Sequence, residues 1–248
     1  MEARGRRQRR RAAIVNRERE TEMILKADNI SKTFFRHTGS ANYFYAVSPV
    51  SLEISSGTVT VLTGRSGSGK TTLLNMLAGI LEPTEGKVLL NGTDLYSLND
   101  TDLSRLRNER IGVVPQARSA VDTLTVTENV LLPAELYGKP APAEDAGYWM
   151  DIFEIKHLAQ AMPRELSGGE LRRMALIRAM IQDPDILFAD EPTGDLDDEN
   201  TEKVLSALRT FAHQRRKAVF IVTHENEALK YADQLFKMDK GTVTPQTL

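Results

Sequence analysis

The run Gly64-Arg65-Ser66-Gly67-Ser68-Gly69-Lys70-Thr71 has residue types that hold phosphate, in the spacing G-x-x-x-x-G-K-[ST]. Small residues let successive backbone N–H groups turn inward and approach phosphate oxygens with no Cβ in the way. Lys70 adds a point charge for the β- and γ-phosphates, and the Thr71 hydroxyl is a hard oxygen ligand for Mg²⁺. Far along the chain, Asp190-Glu191 follows the apolar run Ile186-Leu187-Phe188-Ala189. The end of a buried strand is where ligands bind in open α/β sheets. Asp190 is expected to hold Mg²⁺, directly or through water, and Glu191 to polarise a water for in-line attack on the γ-phosphate. Acids at a strand end are a weak signal alone; beside the cradle they point to hydrolysis of a nucleoside triphosphate.

Such residues need elements to aim them. Residues 59–62 form a short apolar run ending at the glycine loop, and residues 71–80 follow with Leu73, Leu74 and Leu77 at helical spacing, so the cradle falls between strand and helix. From Ile24 the pattern is strand-like, and residues 51–62 alternate in short runs broken at Ser55, Ser56 and Gly57, which reads as antiparallel strands and a turn. Residues 86–91 read as another strand, with Asn91-Gly92 as a hairpin turn. From about 99 to 163 the character is mostly helical, with helices at 100–110 and at 144–158, where Tyr148, Ile152 and Ile155 share a face. Trp149 and Phe153, four apart, read as a packing pair. Beyond Ser167 come a helix to about Ile181, a strand at 186–189, a helix at 199–214 and a strand at 218–222. Both strands are apolar on two faces, as in a parallel sheet covered by helices.

Leu166-Ser167-Gly168-Gly169-Glu170 contains a capping box, Ser167 with Glu170 three residues on. The helix it opens, with Met174, Ile177 and Ile181 on one side, presents a positive end and free N–H groups to an anion. The string resembles the LSGGQ signature of ABC-type ATPases, and that resemblance covers the chain after about Met23. On it, Gln116 resembles the Q-loop glutamine, Thr193-Gly194-Asp195-Leu196-Asp197 the D-loop, His224 the switch histidine, and Phe34 the adenine-stacking aromatic, more often Tyr in the family.

The resemblance implies an α/β fold with a P-loop NTPase (RecA-like) core and a mostly parallel sheet. It adds an N-terminal antiparallel β subdomain and an α-helical subdomain inserted at about 97–166. Nucleotide contacts are expected at Phe34, Gly64, Arg65, Ser66, Gly67, Ser68, Gly69, Lys70, Thr71 and Thr72, and Mg²⁺ contacts at Thr71, Gln116 and Asp190. Glu191, His224 and Lys70 are the implied catalytic residues; Ser167, Gly168, Gly169, Glu170 and Asp197 are implied to act in trans, on ATP held by the opposite subunit. Two residues depart from the family pattern, Glu170 for the common Gln and Asp195 for a small residue, and neither removes a group the chemistry requires.

Bulk properties bound the rest. With 248 residues the chain reads as one compact unit over 23–248. A net charge of -2 argues against a general nucleic-acid binder, and no nucleic-acid partner is expected. No apolar run reaches the about 18 residues of a membrane span, so any membrane role is expected to be peripheral. The absence of cysteine excludes disulfides and thiol chemistry. Residues 1–22 carry eight arginines against four glutamates and almost nothing apolar, the composition of a disordered tail.

By resemblance, the chain powers separate transmembrane permease subunits, as a homodimer or with a paired ATPase subunit, at the cytoplasmic face of the cell membrane. Residues 124–130 and the region from Leu98 to Arg107 resemble the lipoprotein-release and macrolide-exporter branch, which implies export of peptide, drug or lipoprotein. The alternative is an ABC-type ATPase of a membrane-tethered signalling or cell-division complex, transmitting force without moving solute. A soluble ATPase acting on DNA or ribosomes is disfavoured by a single cassette without a long coiled-coil insertion.

Overall fold

The computed structural model describes residues 22–35, 43–138, 143–194 and 196–247, so the basic tail up to residue 21 and Asp195 lie outside the described residues. Two sheets carry the chain. Strand β1 (Met23–Phe35) and strand β2 (Tyr43–Ser55) form a long antiparallel pair, extended by β4 (Glu85–Leu90) and β5 (Thr93–Asp94) in the order β2-β1-β4-β5. The second sheet comprises β3 (Thr58–Gly64), β6 (Ile111–Val114), β7 (Ile186–Asp190), β8 (Ala218–Thr223), β9 (Gln234–Asp239) and β10 (Thr242–Gln246). Its order is β10-β9-β3-β8-β7-β6, with β10 antiparallel to β9 and the other neighbours parallel.

The helices are α1 (Lys70–Leu77), α2 (Asp100–Arg110), α3 (Val126–Glu135), α4 (Ala143–Ile152), α5 (Gly168–Met180) and α6 (Asp198–Arg215). Alternation along β7 and β8 feeds two cores. Leu187, Ala189, Val219 and Ile221 pack with Trp149, Ile177 and Phe211, whereas Phe188, Phe220 and Val222 pack with Leu25, Ile30, Leu73 and Leu77. The two-faced apolar pattern thus has its expected cause.

This topology positions chemistry. Parallel neighbours end at one edge of the sheet, so the cradle after β3, the acids ending β7 and the histidine after β8 converge there.

Four elements differ from the sequence reading. Residues 51–62 do not form an antiparallel pair: β2 stays with β1, and the chain crosses between sheets at Ser56-Gly57, where the Gly57 N–H donates to Lys217 O at 2.9 Å. Residues 59–62 are buried on both faces, which a one-faced antiparallel layer does not provide. The helix expected over 144–158 ends at Ile152; Glu154 adopts φ 55° and Lys156–Leu158 forms a separate turn of 3₁₀ helix. Trp149 and Phe153 do pack, ring centroids 6.3 Å apart, in a cluster with Phe211. Helix α3 was hidden by Pro133 inside it, although Thr125 and Glu128 form its capping box. β6, within the stretch read as mostly helical, pairs with β7 at the sheet's edge.

Candidate functional site

The cradle is built by close approach of three strands. Gly69 caps α1 with φ 107°, and Gly67 has φ 74°, conformations that favour glycine. A Cβ on Gly69 would lie 2.1 Å from Ala46 O, and one on Gly64 would lie 2.4 Å from Met238 O. These glycines are therefore required by the packing of β2 and β9 as well as by phosphate. Lys70 is buried, and its Nζ donates to Gly64 O at 2.8 Å and Arg65 O at 3.3 Å. Ser68 Oγ is buried without a partner among the described residues, so the loop holds a polar atom waiting for one.

Across the sheet, Thr71 Oγ1 donates to Asp190 Oδ2 at 2.7 Å, placing the two expected Mg²⁺ ligands together. Burial pushes the Asp190 carboxyl up, the Thr71 hydrogen bond opposes this, and the neighbouring Glu191 charge adds to the rise. Glu191 stands at the end of β7 in the left-handed region, φ 50°, its N–H donating to Val222 O at 2.8 Å. Its Oε2 accepts from Thr223 Oγ1 at 3.0 Å, and its Oε1 lies 3.0 Å from His224 Nδ1. That hydrogen bond and the Glu191 charge raise the His224 imidazole above its ordinary value.

One cavity of about 860 Å³ is lined by the loop residues Arg65 to Thr72, by Gln116, Asp190, Glu191 and His224, and by Phe34. It suits a nucleoside triphosphate with Mg²⁺: an aromatic wall, a glycine cradle with an orphan hydroxyl, a buried ammonium and an oxygen donor set. Gly64 lies beneath the loop at the end of β3. The sequence reading missed Phe44, Tyr45, Ala46 and Lys240 on the same walls. Phe44 faces Phe34 across the strand pair with ring centroids 6.0 Å apart; the aromatic run in β2 was its one signal.

The other expected residues are elsewhere. Ser167, Gly168, Gly169 and Glu170 are not among the cavity's lining residues, and neither is Asp197. Ser167 Oγ accepts from the Glu170 N–H at 3.3 Å, while Glu170 Oε2 accepts from the Ser167 N–H and hydroxyl at 2.7 Å each, closing the capping box at the head of α5. These bonds hold the Glu170 carboxyl below its usual range. Asp197 caps α6, accepting from the Asn200 N–H at 2.8 Å. Two arginines on α5 grip the segment after β6. Arg172 donates to Pro115 O at 2.7 Å and Gln116 O at 2.9 Å, and Arg178 donates to Ser119 O at 2.8 Å. Thr193 Oγ1 donates to the Glu225 carboxylate, joining the D-loop segment to the residue after His224.

A strand, a glycine-rich phosphate loop and a helix, with an acid pair ending a nearby parallel strand, define the class: a P-loop NTPase. The ABC transporter family model matches residues 47–194. The chain is 36% identical over 220 residues to YvcR, an ABC transporter ATP-binding protein of Bacillus subtilis, covering 88% of this chain and 85% of that protein. It is 36% identical over 222 residues to the lipoprotein-releasing system ATP-binding protein LolD of Aquifex aeolicus, covering 89% and 96%. The dimeric structure of the bacterial ABC transporter cassette MJ0796 superposes with a TM-score of 0.84 at 31% identity, covering 91% of this chain and 99% of that one. A post-hydrolysis state of the same cassette, bound to ADP and Pi, superposes at 0.83. This chain belongs to the ABC transporter family as an ATP-binding subunit. It is an ABC-type ATPase that uses ATP and Mg²⁺.

Proposed function

We propose that this chain hydrolyses ATP as one half of a nucleotide-sandwich dimer and so drives a separate transmembrane permease at the cytoplasmic face of the cell membrane. The cargo class we assign is peptide, drug or lipoprotein, moved outward. Residues 23–248 act as one ATPase unit, with the helical insert at about 97–166 as the part that meets the permease. The observation that carries the dimer is the separation within one chain of the nucleotide cavity from the capped head of α5. A helix N-terminus attracts an anion, and on this reading the anion is the γ-phosphate held by the other copy's loop.

Within the cavity, Lys70 and the loop N–H groups bind the β- and γ-phosphates, and Thr71, Asp190 and Gln116 hold Mg²⁺. Bound MgATP supplies the electrophilic γ-phosphorus and its leaving group. Glu191 accepts the proton of the attacking water, and its two anchors, Thr223 and His224, keep the carboxylate aimed. His224, held through Nδ1 by Glu191, contacts the γ-phosphate and helps orient the attacking water. Phe34, paired with Phe44, supplies a face for adenine. LolD relatives are named as lipoprotein-releasing ATP-binding proteins, which supports the cargo class.

Glu191→Gln tests the reading. Turnover should fall by about 100-fold or more, the range of a lost general base, while ATP binding persists and an ATP-dependent dimer accumulates on a sizing column. Hydrolysis at the parental rate overturns the assignment of Glu191. Coupling to a permease predicts co-purification with an integral membrane protein from detergent extracts; capture of none overturns that part.

A further inference from the structure

We propose that Lys240 is a nucleotide-contact residue whose ammonium holds the α-phosphate; the proposal rests on the ATP-binding reading of the cavity. β9 runs parallel to β3 with Gly64 paired to Met238, so the turn after β9 emerges beside the start of the phosphate loop. Lys240, φ 45°, and Gly241, φ 84°, form that turn. The Gly241 N–H donates to Ser68 O at 2.9 Å, and Gly241 O accepts from the Ser48 N–H at 2.8 Å. A Cβ on Gly241 would lie 3.2 Å from the carbonyl oxygens of both Tyr45 and Ala46. The root of the Lys240 side chain is thus clamped between the phosphate loop and the aromatic strand.

Lys240 lines the cavity, as do the cations Arg65 and Lys70. Lys70 is spent on loop carbonyls and the terminal phosphates, whereas Lys240 makes no hydrogen bond or ion pair among the described residues. Its place along the ligand follows from its neighbours. Thr71, Asp190, Glu191 and His224 mark the reacting end and Phe34 and Phe44 mark the base, while the turn that carries Lys240 is held by Gly241 against Ser68 and Ala46, between the phosphate loop and the aromatic strand. The group of a nucleotide found at that point is the α-phosphate, which ATP, ADP and AMP share. Lys240 therefore contributes affinity and takes no part in the chemical step.

The test is calorimetric binding of ADP, AMP and a non-hydrolysable ATP analogue to the full chain, together with steady-state ATPase kinetics. Lys240→Gln should weaken all three ligands by a common factor of about three to ten, the worth of one partly exposed charge-assisted contact. Lys240→Arg should restore binding, and the gap between wild type and Lys240→Gln should narrow as salt rises. kcat at saturating ATP should be unchanged, and thermal melting without nucleotide should match wild type. Unchanged ADP affinity in Lys240→Gln, or a loss confined to the triphosphate analogue, overturns the proposal. Nucleotide binding by wild type with either of those results leaves the ATP reading standing; a wild type that binds no nucleotide removes both.

Discussion

Glu191 is held in a costly backbone conformation, φ 50° on a non-glycine residue, at the point where its carboxylate meets Thr223 and His224. His224 is largely exposed, so the raised proton affinity of its ring comes from Glu191 and not from burial. In Glu191→Gln the imidazole should titrate closer to its ordinary value of 6.5, a downward shift readable from histidine ring resonances in an NMR pH series. No shift between the two proteins would place the ring away from Glu191 in solution. Because the folded value is raised, the pair's small stabilisation is present below the unfolded value and is lost as pH rises through the folded one. Glu170 runs the other way. Its carboxyl is lowered by Ser167, so the capping box stabilises α5 above the ordinary carboxylate value of 4.5 and fades as pH falls through the lowered value. Glu170→Ala should cost about 0.5–1 kcal/mol in thermal unfolding at neutral pH, and less in acid. An equal cost at both pH values would mean the carboxylate is not the capping group.

At the scale of elements, α5 does two jobs: its N-terminus offers Ser167 and Glu170, and its body grips the segment after β6 through Arg172 and Arg178. Arg172 ties the carbonyl of Gln116, a residue lining the cavity, to the helix whose head residues do not line that cavity in the same chain. Arg172→Ala should raise amide hydrogen exchange across residues 115–119 by about tenfold or more while β7 and β8 stay protected, since its two bonds to the carbonyls of Pro115 and Gln116 are lost there. Uniform loosening would instead mean that Arg172 supports the whole fold. The arginines also show where sequence reading runs out. Gly64 to Thr71 is contiguous, so its loop and helix were legible, and the apolar runs of β7 and β8 declared a buried parallel sheet. Contacts such as Arg172 to Pro115, or Gly69 against Ala46, join segments far apart in the chain, and no local period reports them. β9 and β10 escaped for a related reason: their burial is partial and their residues mixed, so the turn carrying Lys240 appeared only once β9 was seen beside β3.

As a whole, the molecule carries the phosphate loop and the head of α5 at different places, and the proposed two-fold dimer would unite them twice. In that dimer each site would take its phosphate loop from one copy and its α5 head from the other, so defects in the two halves should complement. Lys70→Ala removes the cation of the loop and leaves α5 intact. Gly168→Asp suits the other half, because nothing lies within 4 Å of a Cβ at Gly168, so the fold tolerates the side chain while a carboxylate is set against the incoming phosphate. Homodimers of either variant contain no sound site. Mixed one to one, about half of the dimers pair a variant of each kind, and each of these holds one intact site out of two, giving about a quarter of the wild-type sites by the statistics of isologous pairing. ATPase activity in the mixture should therefore rise well above that of either variant alone, and a second-order dependence on protein concentration should accompany it. A mixture no more active than its parts, at concentrations where the wild type turns over, would mean that α5 acts on no partner's nucleotide in a dimer of this chain with itself. The complementary surface would then belong to a different ATPase subunit.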